Sequence, residues 1–424
     1  MIRLIFFIFF FAFLYLVATG QDTSYVRRNI SELSGEEYHG RGYVKKGVNK
    51  AAHYLASEME EIGLQCLGKD YYQSLTYPVN TFPGNITVRV DGKLLQTGTD
   101  YFIGAACPQV DREYKVVVFD SVTLSDTIRF FAKAGMMRLK DALVVIDFSY
   151  LQASDVRWYY VNLMKSNFIQ AAGYIEISNG NLAWATRNAQ SDFPVLKIKK
   201  NAFSAETETV YIRVKPKLIK NYKTENIVGY IPGTSDEYIV IGAHYDHLGM
   251  MGKNVFIPGA NDNASGTVMV LDLARYYKQH PGKYNMVFIL FTGEEAGLMG
   301  SEYFTENPLI PLEKTKIMLN FDMVGTGEKG AAIVNGEAEG YEKIAAKFIE
   351  INNRNNYLKD IKLRGLSKNS DHYPFHEAGV KAVFFYTMGA DTFYHSPGDV
   401  VDNLSLQAYI PLFKLVTDFI SEYE

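Results

Sequence analysis

Apolar residues take two different textures along the chain. From Asn226 onward, continuous apolar runs alternate with segments of helical spacing. The runs are "EYIVIGA", "YNMVFILF", "KIMLNF" and "VKAVFFY"; the helical segments are Ser265 to Tyr277, Leu298 to Thr305, Gly340 to Ile351 and Ser405 to Tyr423. Unbroken apolar strands between helices predict an α/β protein whose mixed, largely parallel central sheet carries helices on both faces. Nearer the N-terminus, Ala51, Leu55, Met59 and Ile62 share one face of a predicted helix, and Gly63 stops it. From Thr81 to Tyr222 short β-rich runs such as "EYKVVVFDS", "DALVVIDFS", "AAGYIEI" and "FPVLKIKK" replace that alternation. This segment reads as an inserted β-rich α+β module. The predicted organisation is therefore one domain from residues 21–80 and 223–424, interrupted by a module over 81–222.

The first 20 residues read differently again. Arg3 precedes an apolar run from Leu4 to Val17, and Ala18 and Gly20 place small residues before Gln21. This is the pattern of a signal peptide. The run is shorter than the ~20 residues of a spanning helix, so no stable membrane span is expected after its removal. The predicted location is outside the cell membrane, extracellular or periplasmic. The chain of 424 residues is 47% hydrophobic and 14% aromatic, enough for a sizeable core. A net charge of −4 without a Lys/Arg-rich run argues against nucleic acid as a partner. Two cysteines, Cys66 and Cys107, exclude a cysteine metal site and leave open whether they pair.

Acids and histidines then gather where the strands end. His244 and Asp246 follow "EYIVIGA", Glu294 and Glu295 follow "YNMVFILF", Asp322 follows "KIMLNF", and His395 lies in the loop after "VKAVFFY". Asp262 sits in "GANDNASG", at the start of a predicted helix. Taken singly, each has an ordinary explanation: a core histidine, a turn aspartate, a solvated pair of glutamates. Taken together they occupy the carboxyl ends of the strands, where α/β sheets bind ligands. Imidazole and carboxylate are zinc ligands. His244, Asp262, Glu295, Asp322 and His395 suffice for two zinc ions if Asp262, flanked by Gly259, Ala260, Ala264 and Gly266, bridges them. Asp246 is placed to accept the His244 N–H and fix its tautomer. Glu294 is left as the general base for the attacking water.

These blocks resemble the secreted dizinc aminopeptidases, the group that includes bacterial leucyl aminopeptidases. The matching stretches are "GAHYDHLG", "GANDNASG", "FTGEEAGLMGS", "LNFDMVG", "SDHYPF" and "YHSPGD", with an N-terminal "LSGEEYHGRGYVKKGVNKAAHYLASEMEEIGL". The resemblance implies the zinc exopeptidase fold and hydrolysis of the N-terminal bond of peptides with a free amino terminus. It also implies two zincs per chain: His244 and Asp322 on one, Glu295 and His395 on the other, Asp262 on both. A protease-associated module stands in many relatives where residues 81–222 stand here, and in relatives the peptide after the bridging aspartate is cis. Asp371 lies in "SDHYPF", a block near the metals in relatives, and is expected either behind the ligands or on the substrate side; Tyr386, at a strand end, is a candidate substrate contact or a core tyrosine, and His247 is expected to be structural. A one-zinc glutaminyl cyclase, a carboxypeptidase using Arg364, or an inactive binding module of the same fold are the alternatives; zinc stoichiometry separates the first and last of these from the peptidase.

Overall fold

The computed structural model describes residues 23–148, 154–390 and 393–423; the signal-peptide expectation concerns residues outside these. The main sheet has eight strands in the order Tyr72–Thr81, Lys217–Ile231, Asn285–Phe291, Tyr238–His244, Thr315–Phe321, Ala382–Thr387, Ala331–Val334, Ile361–Leu363. The four strands from Asn285–Phe291 to Ala382–Thr387 run parallel. Antiparallel pairings flank them on both sides.

The continuous apolar runs are buried on both faces, and alternate residues divide between two cores. Ile239, Ile241, Phe288, Leu290, Ile317 and Leu319 pack with residues of the helices Gly47–Ile62, Gly266–Gln279, Glu342–Asn355 and Tyr409–Glu422. Val240, Val287, Ile289, Phe291 and Met318 face the other way, toward Phe304 and Phe375 of the helices Met299–Glu306 and His372–Glu377. In helix Gly47–Ile62, Ala51, Leu55 and Met59 are buried, Ile62 packs against the same core, and Gly63 closes the helix with φ 81°. The last helix begins at Tyr409 rather than near Ser405. The preceding residues are held elsewhere, because Leu406 and Ala408 donate their N–H groups to Gly325 and Thr326.

A second eight-stranded sheet is built from residues between Thr87 and Val214. Its strands Ala142–Asp147, Gly173–Ser178 and Val195–Lys199 are parallel neighbours. One face carries the helices Thr127–Met136 and Ser154–Ser166 through Phe130, Tyr160 and Met164. The other face shares its core with Leu248, Met251, Val255 and Ile257 of the main domain. Those residues lie in or beside the hairpin Gly249–Met251/Val255–Ile257, which directly follows the His244–Leu248 segment. The second sheet is thereby packed beside the strand ends that hold the acids and histidines. Cys66 and Cys107 are both free thiols. Among the described residues no helix is long and apolar enough to cross a membrane.

Candidate metal centre

Each strand delivers its side chain at its carboxyl end. His244 is the last residue of Tyr238–His244, and Asp322 follows Thr315–Phe321 at once. The Asn285–Phe291 strand ends two residues before Gly293, whose φ of 71° turns the chain so that Glu294 and Glu295 point back across the strand ends. A Cβ at Gly293 would meet the Tyr77 ring at 2.7 Å, so only glycine fits. Asp262 lies in a tight turn, Ala260–Ser265, before helix Gly266–Gln279, and the Asp262–Asn263 peptide is cis, as the resemblance implied.

The side chains converge. His244 Nε2 lies 3.5 Å from Asp262 Oδ1, 3.4 Å from Asp322 Oδ1 and 4.0 Å from Glu294 Oε2. His395 Nε2 lies 3.0 Å from Asp262 Oδ2 and 3.3 Å from Glu295 Oε1. Asp262 thus has one oxygen toward each histidine. Two sets of donor atoms are close enough to hold a cation each: His244 with Glu294 and Asp322, and His247 with Asp262 and Glu295. Four carboxylates share this buried space, and Asp322 Oδ1 is buried without a hydrogen-bond partner. Such an arrangement calls for positive charge between the oxygens, which is what two divalent cations would provide.

The paired glutamates differ. The Glu294 side chain is 15% exposed and lines a cleft of about 530 Å³, whereas Glu295 is 6% exposed and does not line it. Burial, then the neighbouring acids Glu295, Asp322 and Asp371, push the Glu294 carboxyl well above the ordinary range, against the pull of His244. Burial acts on Glu295 in the same sense but is outweighed by His395 and His247, which hold it well below that range. One glutamate faces the cleft. The other is a fixed anion behind it.

Asp246 does not act as its spacing predicts. The His244 Nδ1–H donates to the Asp246 main-chain carbonyl at 3.1 Å, while the Asp246 carboxylate is 3.8 Å from that nitrogen. The carboxylate instead accepts the Glu294 backbone N–H at 3.1 Å and the Tyr43 hydroxyl at 3.1 Å. It therefore sets the Glu294 backbone while its own carbonyl sets the histidine tautomer. Burial raises its pKa to about 6. Asp246→Asn is expected to lower kcat/KM by ~10–100-fold, the usual weight of groups that orient a site from behind. Steady-state kinetics with zinc content measured on the same sample checks this.

Tyr386 lines the cleft, and its hydroxyl accepts a hydrogen bond from Arg364 Nη1 at 2.8 Å. Asp371 does not line it. It is fully buried, and burial raises its pKa to about 7. The structure places it behind the cleft wall, beside Ser370, whose hydroxyl donates to Asp322 Oδ2 at 2.8 Å. That is one of the two positions expected for Asp371, and its side chain makes no cap on the following helix. His247 is inside the site rather than apart from it, with Nδ1 2.9 Å from Glu295 Oε1.

Two further residues escaped the sequence pattern. Asp399, buried, accepts the backbone N–H groups of Asn261 at 2.7 Å and Asp262 at 3.1 Å. Arg41, fully buried, donates to the carbonyls of Tyr245, Leu33, Pro258, Gly259 and Asp262. Both act on the main chain around Asp262. Their only sequence signal is membership of the blocks "YHGRGY" and "YHSPGD".

The fold and the site define an α/β protein with paired cation sites at the carboxyl ends of a mostly parallel sheet. The model of peptidase family M28 matches residues 226–420, the part of the chain that carries the proposed ligands. It is 29% identical over 422 residues to aminopeptidase YwaD of Bacillus subtilis (strain 168), covering 93% of this chain and 82% of that one. A probable leucine aminopeptidase of Trichophyton verrucosum is 28% identical over 228 residues, covering 49% of this chain and 58% of that one. In fold, the chain superposes on the structure of BSAP, a zinc aminopeptidase from Bacillus subtilis, with a TM-score of 0.71, 22% identity and 95% of each chain covered.

Proposed function

We propose that this protein is a zinc aminopeptidase that hydrolyses the N-terminal peptide bond of peptides, with two zinc ions per chain. The observation that carries this reading is the convergence of His244, Asp262, Glu295, Asp322 and His395 at the strand ends, with Glu294 beside them lining the cleft. His244 and Asp322 would hold one ion, Glu295 and His395 the other, and Asp262 both. Zinc held there supplies Lewis acidity, lowering the pKa of water and polarising the scissile carbonyl. Glu294 takes the proton of the attacking water and returns it to the leaving amine. The surrounding carboxylates favour a substrate whose α-amino group is cationic. His244 and His395 each tie Nδ1 to a main-chain carbonyl, which leaves Nε2 to face the acids.

The module built from residues 81–222 belongs to the same proposal as a protease-associated-like insert, and residues 1–20 as a leader that exports the enzyme. The test is zinc analysis joined to an assay on aminoacyl fluorogenic substrates. Purified protein is expected to hold about two zincs per chain, the stoichiometry on which a two-metal clamp depends. Chelation is expected to abolish release of the N-terminal residue, and added zinc to restore it. One zinc per chain with cyclase activity, or none with no hydrolysis, overturns the reading.

A further inference from the structure

The inserted module is hydrogen-bonded to the candidate site at Trp184. Trp184 lies in the segment between the strands Gly173–Ser178 and Val195–Lys199. Its backbone N–H donates to the His395 carbonyl at 3.0 Å, and the His395 Nδ1–H donates to the Trp184 carbonyl at 2.9 Å. These reciprocal bonds join a proposed ligand to the module rather than to its own domain. His395 needs such support, because its backbone has φ 55°, in the left-handed region that side chains other than glycine rarely adopt.

Trp184 is itself fixed. It is 8% exposed, its indole N–H donates to the Ile103 carbonyl at 2.8 Å, and its ring packs 5.8 Å from that of Phe82. It belongs to the core that continues into the hairpin after His247, through Leu248, Met251 and Val255. The carbonyl facing His395 is thus held by a side chain, a strand and a shared core.

We propose that Trp184 is a positioning residue: through its main-chain carbonyl the inserted module sets the tautomer and the orientation of His395, and so governs the affinity of one of the two zinc sites. This rests on the dizinc reading. With Nδ1 bonded to the Trp184 carbonyl, Nε2 is the nitrogen turned toward the acids. It sits 3.0 Å from Asp262 Oδ2 and 3.3 Å from Glu295 Oε1, an arrangement of one nitrogen and two carboxylate oxygens that closes around an ion. The other site does not share this dependence. His244 takes its tautomer from the Asp246 carbonyl, two residues along its own chain segment. The two zincs are therefore held by unequal means, one by the peptidase domain alone and one by the domain together with the insert.

The experiment measures the two binding steps separately by competition with a chelator, using zinc, and follows cobalt(II) substitution by its visible spectrum. Trp184→Ala is expected to weaken one step by ~10–100-fold, the usual effect of losing a ligand's orienting partner, and to leave the other unchanged. Trp184→Phe keeps the ring in the core and is expected to restore most of that affinity. Ile146→Ala removes fully buried packing from the opposite face of the module's sheet, in a core that does not include Trp184, and is expected to leave both steps as in wild type. Independently of how the variants fold, spectra of wild-type protein labelled with 15N-histidine are expected to show a slowly exchanging Nδ1–H at His395. Equal affinities in Trp184→Ala and wild type overturn the proposal. So does a loss in Ile146→Ala matching that in Trp184→Ala, or a His395 ring protonated at Nε2 in the zinc-loaded protein. A wild-type chain that binds fewer than two ions overturns the dizinc reading, and this inference with it.

Discussion

Glu294→Gln is expected to lower kcat by roughly 10²–10⁴-fold, the range that general acid–base catalysis contributes, with zinc content near wild type. Glu295→Gln is expected to fail differently, losing zinc first and recovering part of its activity when zinc is added. The reason lies in the surroundings of the two side chains. Glutamine at 294 preserves shape and cleft contact, but an amide cannot accept the water's proton. The Glu294 backbone keeps its bond to the Asp246 carboxylate, so the turn at Gly293 should not move. At 295 the change strikes an anion that His247 approaches at 2.9 Å and His395 at 3.3 Å. Removing that charge leaves two imidazoles facing a neutral amide, and one ion loses an anionic partner. Metal analysis and kinetics on the same preparations separate the outcomes. Full activity in Glu294→Gln removes it as the base, and zinc loss in that variant alone reverses the two assignments.

The strands that carry the site were legible because burial on both faces leaves an unbroken apolar run. "YNMVFILF" and "KIMLNF" admit few other readings once helical spacing surrounds them. The acids and histidines were legible for a related reason: a polar residue directly after such a run must face the open end of the sheet. The sequence did not disclose contacts made through the main chain, since any residue type has a carbonyl. That is why Trp184 and the carbonyl of Asp246 were not foreseen, and why the Asp246 carboxylate was given a bond that the backbone makes instead. His247 was set aside because it had no place in the ligand pattern, yet the turn at Gly259 brings it against the acids. A Cβ at Gly259 would lie 2.4 Å from the His247 ring, so the glycine permits that approach. In the module, the helices Thr127–Met136 and Ser154–Ser166 are rich in aromatic residues, whose preference for strands blurs a helical pattern.

Arg41→Met is expected to be among the most damaging substitutions outside the ligand set. Its guanidinium makes hydrogen bonds of 2.8 Å to Tyr245, 2.9 Å to Leu33, 2.7 Å to Pro258, 2.6 Å to Gly259 and 3.4 Å to Asp262, all to main-chain carbonyls. These acceptors come from the end of the first helix, the segment after His244 and the turn that presents Asp262. Burial lowers the Arg41 pKa to about 10, against the attraction of Asp399, Asp262, Asp246 and Glu295, so the group stays charged near neutral pH. Methionine fills much of the same space but supplies no donor and no charge. The carbonyls then lose their donor, and Asp399, Asp262, Asp246 and Glu295 lose the attraction of a buried cation. Removing one member of a buried charged cluster costs ~3–5 kcal/mol. For a domain of this size that corresponds to a fall of roughly 6–20 °C in melting temperature. Arg41→Lys keeps the charge but has three donors in place of five and no fork, so it is expected to fall between Met and wild type. Zinc should raise the melting temperature of each protein, because an ion that binds only the folded chain stabilises it. The increment should be smallest in Arg41→Met, where the Asp262 turn is least fixed. Thermal unfolding of the three proteins with and without zinc measures both effects, and equal melting temperatures would remove Arg41 from the support of the site.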